Sequence, residues 1–236
     1  MQQLTDNVYA VPGMSMGRIY VITGRDGVTV VDASLSPKTA EKLEPKLASI
    51  GYKLADIRNI LITHAHPDHT GGLAEMQRLT NARTYIGHRD AAVARGEQPI
   101  PRPRSEDLDL FNRLLGSVGG TPMPMPVRID VELKEGDTLD DILPGLQVVE
   151  LFGHSPGQVG YWWPQKRLLI GGDVMMHLPW GLKMPIGAYT FDMREAKRSA
   201  LKVADLAPDV LGLGHGQPII GDAAARVRAF VAKLRV

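Results

Sequence analysis

Three of the chain's seven histidines fall inside His64-Ala65-His66-Pro67-Asp68-His69, with a carboxylate set among them. Core packing gives no reason to gather imidazoles this densely. Imidazole and carboxylate together form a donor set suited to zinc, manganese or iron. On an extended loop, residues two apart point to the same side, so His64 and His66 can address one point. The turn that follows would direct Asp68 and His69 to a second point nearby. The run also begins at the end of Asn59-Ile60-Leu61-Ile62-Thr63, a short apolar segment of the kind found in buried strands. The histidines are therefore expected on a strand-to-helix loop.

Two metal ions need more ligands than one loop supplies, and further candidates follow later strands. His154 lies in Gly153-His154-Ser155-Pro156-Gly157 after Val148-Val149-Glu150-Leu151-Phe152. Asp173 lies in Gly171-Gly172-Asp173 after Leu168-Leu169-Ile170, and His215 in Gly212-Leu213-Gly214-His215-Gly216 after Val210-Leu211. Glycine beside each of them permits close backbone turns. The chain contains no cysteine, so any metal must be held by nitrogen and oxygen.

The remaining pattern is α/β. Val8 to Val11, Ile19 to Thr23 and Val28 to Val31 read as a strand meander. Ser36-Pro37 offers an N-cap and a first-turn proline for a helix that Gly51 stops. A second helix places Leu73, Met76 and Leu79 on one face, and Thr84 to Ile86 reads as another strand. Prolines crowd the segment from about 96 to 126, which reads as an insertion, either a lid or a long loop, around a short helix from Ser105 to Leu115. Strands follow near 129–133, 146–152, 159–163 and 168–170. A helix from Met193 to Leu206 has Asp192 and Glu195 at capping-box spacing, and a last helix from about Ala223 lines up Val227, Phe230, Val231 and Leu234.

Composition narrows the partners. A formal charge of +1 creates no field to draw in nucleic acid, and Arg102-Pro103-Arg104 is too short to track a phosphate backbone. No run has the length of a membrane span and the first residues lack a signal-peptide pattern, so a cytoplasmic chain acting on a small molecule, with a homodimer as a candidate assembly, is expected.

The motifs Thr63-His64-Ala65-His66-Pro67-Asp68-His69, Gly153-His154-Ser155, Gly172-Asp173 and Gly214-His215-Gly216, in this order, resemble those of the metallo-β-lactamase superfamily. The resemblance spans nearly the whole chain and implies a single domain, 1–236, folded as an αββα four-layer sandwich of two mixed β-sheets flanked by helices. It also implies a site with two divalent ions, Zn2+ first, with Mn2+ or Fe2+ as alternatives. His64, His66 and His154 would hold the first ion, and Asp68, His69 and His215 the second, with Asp173 bridging. Asp32, in Val31-Asp32-Ala33, matches the family's strand-end aspartate that supports the histidine loop without binding metal.

What the resemblance implies for activity is hydrolysis of a small ester, lactone or thioester by a metal-bridging hydroxide, with Asp68 also moving a proton. True β-lactamases with an aspartate-cysteine-histidine second site are excluded by the missing cysteine. The bridging aspartate is instead similar to the lactonase, glyoxalase II-like and phosphodiesterase branches. A glyoxalase II would carry a helical extension for glutathione, whereas only residues 216–236 follow His215. A mononuclear iron oxygenase similar to the persulfide dioxygenases is the alternative from another class. A third possibility is a metal-holding binding or electron-transfer domain as in flavodiiron proteins, and the glutamate that those proteins commonly carry at the position of His66 argues against it.

Around the site, His177, Trp180, Lys183 and Tyr189 are candidate substrate contacts. Met123, Met125, Met175, Met176 and Met184 suit either an adaptable pocket rim or ordinary core. His88 reads as a surface residue or helix cap, and Lys183, Arg194 and Lys197 fit a solvated face as well as an anion site.

Overall fold

A computed structural model describes residues 1–14, 16–104, 106, 108–117 and 125–234. The first half runs β1 (Gln2–Gln3), β2 (Val8–Val11), β3 (Ile19–Gly24), β4 (Gly27–Val31), α1 (Thr39–Ala48), β5 (Ile57–Ile62), α2 (Pro67–Thr70), α3 (Leu73–Thr80), β6 (Arg83–Gly87) and α4 (Ala91–Ala94). Helix α5 (Leu110–Ser117) is followed by β7 (Val131–Leu133), β8 (Gln147–Glu150), β9 (Val159–Trp163) and β10 (Leu168–Ile170). The hairpin β11 (Met176–Leu178) and β12 (Gly181–Lys183), then α6 (Met193–Leu206), β13 (Val210–Gly212), β14 (Ile219–Ile220) and α7 (Ala223–Val231), complete the order.

Strands β1 to β7 form one sheet in sequence order, antiparallel as far as β4 and parallel from β4 to β7. The second sheet has the order β14-β13-β10-β9-β8, with β10 and β13 parallel and the other pairs antiparallel. Both sheets are therefore mixed.

The layering follows from the period of two along each strand. On β3, Ile19 and Val21 face outward against Leu43 and Leu47 of α1 and Leu73 and Met76 of α3, whereas Tyr20 and Ile22 face inward. On β5, Ile60 and Ile62 point outward and Leu61 inward. The inward set meets Val148, Tyr161, Trp163, Leu168 and Ile170 of the second sheet, closing a middle core between the sheets. That sheet's other face, with Val149, Trp162, Leu169 and Leu211, packs on Ala200 and Val203 of α6 and Val227 and Val231 of α7. Helix, sheet, sheet and helix are thus the αββα sandwich anticipated from sequence. Strands covered on both faces explain why Ile60 to Ile62 of β5 and the whole of β10 read as continuous apolar runs.

Local details depart from the sequence expectations. Ser36 does not cap α1: its Oγ accepts from Lys38 N at 3.1 Å and its carbonyl from Thr39 N at 3.1 Å, a turn that precedes the helix. Leu79 stays 42% exposed, because only Leu73 and Met76 of α3 are buried against the sheet. The helix expected over Ser105 to Leu115 lies at Leu110–Ser117, and Ser105 and 118–124 lie outside the described residues, as does Met123. The hairpin of β11 and β12 was not anticipated. By contrast α6 has its expected bounds, and Asp192 Oδ1 accepts from Arg194 N and Glu195 N at 2.9 and 3.0 Å. Among the described residues no helix is long and apolar enough to cross a membrane.

Candidate metal centre

The candidate ligands collect where strands from both sheets end. His64 and His66 follow β5, and His66 is the extended N-cap residue of α2, with Pro67 in its first turn. That turn carries Asp68 and His69 back toward the strand end. His154 follows β8, Asp173 sits in the tight turn Gly172–Val174 after β10, and His215 follows β13. The loop of His215 is held from the first sheet: Arg18 donates through its backbone N to Gly214 O at 2.8 Å and through Nε to Gly216 O at 2.6 Å. Tyr20 Oη, buried in the middle core, donates to Leu213 O at 2.8 Å.

Among the described residues three groups of side chains could each hold a metal ion: His64, His66 and His154; Asp68, His69 and His215; and His64, His69 and Asp173, with ligand atoms within 4.8 Å in each. His66 Nδ1 lies 2.9 Å from His154 Nε2. Asp173 touches both sides, with Oδ2 at 3.5 Å from His154 Nε2 and 3.1 Å from His215 Nε2, and Oδ1 at 3.5 Å from His69 Nε2. Asp68 Oδ2 is 3.1 Å from His215 Nε2. All seven sequence candidates therefore converge on one place.

Hydrogen bonds behind the imidazoles decide which nitrogen faces inward. Thr63 Oγ1 gives its single proton to the Asp32 carboxylate, at 3.1 and 2.9 Å, and so accepts from His64 Nδ1 at 3.0 Å. Asp32 Oδ2 accepts from His69 Nδ1 at 2.8 Å. Thr190 Oγ1 donates to Ile186 O at 2.9 Å and thus accepts from His154 Nδ1 at 3.2 Å. Each arrangement places a proton on Nδ1 and leaves Nε2 as the inward donor atom, the tautomer that metal binding requires. His64 Nε2, His69 Nε2 and Asp173 Oδ1 are buried without a hydrogen-bond partner. Buried polar atoms without partners are costly, and a cation among these three would satisfy them all. The residues fit a metal.

Charge is divided across the cluster. Burial pulls His64 well below the ordinary histidine range, and burial together with neighbouring imidazoles brings His66 to about 3. Burial takes His154 to about 4. On the other side burial is outweighed by carboxylates: Asp32, Asp173 and Asp68 raise His69 to about 9, and Asp173 and Asp68 raise His215 to about 10. Although burial opposes ionisation of Asp68 and Asp173, the surrounding imidazoles hold both carboxyls below their ordinary range. Protons on His69 and His215 thus take the place of a cation.

A cavity of about 410 Å3 opens onto His66, Asp68, His154, Asp173 and His215, walled by Met16, Leu35, Ile100, Met176, Ile186 and Tyr189. Helix α5 buttresses one wall, where Ala188 N donates to Asn112 Oδ1 at 3.0 Å. Of the substrate-contact candidates, Tyr189 lines this cavity. His177, Trp180 and Lys183 line a separate groove between β12 and α7, and His177 alternates in β11 with Met176, which faces the cavity. Met175 is core and Met176 is cavity wall. His88 lies 3.7 Å from Glu150 Oε1 and outside the cluster.

Asp90, which stands behind the candidate ligand loops, is not among the residues singled out in sequence. It is 1% exposed and stands at the N-cap position of α4 but makes no capping bond. Its Oδ2 accepts from Ala65 N at 3.0 Å and Ser155 Oγ at 2.6 Å, and its Oδ1 from Gly157 N at 2.7 Å. Thr190 was also missed, and nothing near it in sequence signals its contact with His154.

The description of the metallo-β-lactamase superfamily matches residues 12–215, and the chain belongs to that superfamily. Among its relatives, Bacillus subtilis YobT is 26% identical over 87% of this chain and 85% of its own length, and the probable metallo-hydrolase YqjP of the same organism is 25% identical over 85% and 67%. A hydroxyacylglutathione hydrolase of Bdellovibrio bacteriovorus is 25% identical over 75% of this chain, which spans about half, 55%, of that protein. The metallo-beta-lactamase family protein TTHA1429 of Thermus thermophilus superposes with a TM-score of 0.72 at 25% identity, covering 98% of this chain and 80% of that one. TTHA1623, solved in a di-iron-bound form, gives 0.64 at 26% identity over 94% and 99%.

Proposed function

We propose that this metallo-hydrolase superfamily member holds two divalent ions and hydrolyses a small, partly apolar carboxylic ester, lactone or thioester. The observation that carries this reading is the Asp173 carboxylate, which stands between the His64-His66-His154 group and the Asp68-His69-His215 group and reaches ligand atoms of both. Zn2+ is the first choice for a nitrogen and oxygen donor set. The di-iron form of TTHA1623 makes iron the alternative ion and supports two ions over the single iron of an oxygenase.

When bound, such a pair supplies Lewis acidity and a water acidified toward neutral pH. The chain does the rest. Asp32, Thr63 and Thr190 hold the imidazoles in one tautomer. Asp68, ionised and partly open to the cavity, is placed to take up and return a proton at Oδ2. The apolar walls exclude competing water and receive the substrate's apolar part. The relative named probable metallo-hydrolase agrees with metal-dependent hydrolysis, and the one named hydroxyacylglutathione hydrolase with cleavage of an acyl bond.

The test is direct. Zinc-loaded protein should turn over a panel of aryl esters, lactones and thioesters, and His66→Ala should lose that activity while keeping its circular dichroism spectrum. Undiminished turnover by His66→Ala would contradict the proposal.

A further inference from the structure

We infer that Asp90 is a positioning residue that fixes the distance between His66 and His154 and so builds the His64-His66-His154 group selectively. The inference rests on the two-ion reading of the site. Among the described residues Asp32 and Asp90 are the buried carboxylates behind the ligand loops, and they serve different ligands. Asp32 bonds Thr63 and His69, within the first sheet's loop. Asp90 instead joins the two sheets: Ala65, whose N–H it accepts, lies between His64 and His66, while Ser155 and Gly157 belong to the loop of His154.

The surroundings show that this crossing is built. Asp90 occupies a helix N-cap position, where its side chain would ordinarily accept from the first turn of α4. It makes no such bond, and both oxygens turn to the ligand loops. The close approach depends on Gly157, where a Cβ would collide with Asp90 N and lie 2.8 Å from Asp90 Oδ1. At Gly87 a Cβ would collide with Gly157 O. The same turn is clamped by Arg89, whose guanidinium carbon lies 4.1 Å from the centroid of the Phe152 ring, two residues before His154. His66 and His154 therefore meet at 2.9 Å because a carboxylate behind them holds both loops. An asparagine at position 90 can satisfy only part of this set, since its NH2 must face a backbone N–H on one side or the other.

The experiment is a Zn2+ titration of chelator-stripped full-length protein against a competing fluorescent chelator, with thermal unfolding of each metal-free variant recorded in parallel. His154→Ala and His215→Ala identify the binding step that belongs to each group. For Asp90→Asn we expect the step lost in His154→Ala to weaken about 10- to 100-fold, the usual effect of removing a residue that orients a ligand, with the other step unchanged. Ser155→Ala, which removes one donor and leaves the backbone bonds, should weaken the same step by a smaller factor. Should Asp90→Asn fail to fold, Ser155→Ala decides the matter by the same criterion. Unchanged affinity for that step, or equal weakening of both steps with a lowered melting temperature, would overturn the inference. A wild-type chain that takes up one ion would refute the two-ion reading alone; the inference then stands or falls on whether Asp90→Asn weakens that ion.

Discussion

His66 Nδ1 and His154 Nε2 stand 2.9 Å apart, although they come from loops on different sheets and are 88 residues apart in the chain. Thr190 keeps the His154 proton on Nδ1, so without metal the His66 ring must supply the proton between them. Were this group to hold a cation, both nitrogens would offer it their lone pairs. The two rings are neutral at pH 7, having been pushed to about 3 and about 4.

Metal uptake should therefore release protons mainly from the opposite group. His69 and His215, raised to about 9 and about 10, are protonated at pH 7 in the metal-free protein. Both must lose a proton to bind a cation. Calorimetric Zn2+ titrations in buffers of different ionisation enthalpy should show this release at pH 7, diminishing as pH rises toward 9 and 10. Apparent affinity should rise over the same interval. A proton count of zero at pH 7 would contradict the assignment.

Asp32 is buried and adopts a left-handed φ of 63° while bonding Thr63 N, Thr63 Oγ1 and His69 Nδ1. Asparagine tolerates that backbone region better than most residues, so Asp32→Asn keeps the turn while removing the charge and turning one of the two accepting oxygens into an NH2. Metal affinity of the Asp68-His69-His215 group should fall about 10- to 100-fold in chelator competition. An affinity equal to wild type would remove Asp32 from the site.

Two tyrosines tie the sheets together beside the centre. Tyr161 Oη donates to Ile62 O and Tyr20 Oη to Leu213 O, each at 2.8 Å and fully buried. Replacement by phenylalanine leaves a buried carbonyl without that donor, and each change should cost about 1–3 kcal/mol in urea unfolding.

The cavity wall offers a test of substrate character. Tyr189→Ala should raise KM for an octanoyl aryl ester roughly ten-fold, equivalent to about 1.4 kcal/mol, while leaving the acetyl ester nearly unaffected. Equal changes for both esters, measured by steady-state kinetics, would argue against an apolar contact at Tyr189.

The cluster of candidate ligands was legible in sequence because histidines gathered in a hexapeptide, or isolated beside glycine after an apolar run, have few other uses. The layers were legible because Ile19 to Ile22 and Leu168 to Ile170 are apolar at every position, as strands covered on both faces must be. The direction of His177 was not legible: a three-residue strand sends neighbours to opposite faces, and only the pairing of β11 with β12 sets which is which. Asp90 stayed hidden because its partners lie 25, 65 and 67 residues away, while locally it resembles a helix cap. Leu79 misled because a helix face wider than its contact with the sheet leaves its last apolar residue in water.

The proposed need for both metal positions is tested most directly by ester hydrolysis by chelator-stripped protein as Zn2+ is added in fractions of an equivalent. Activity should rise to a plateau at two ions per chain and be abolished again by chelator. A plateau at one ion, or activity indifferent to metal, would contradict it.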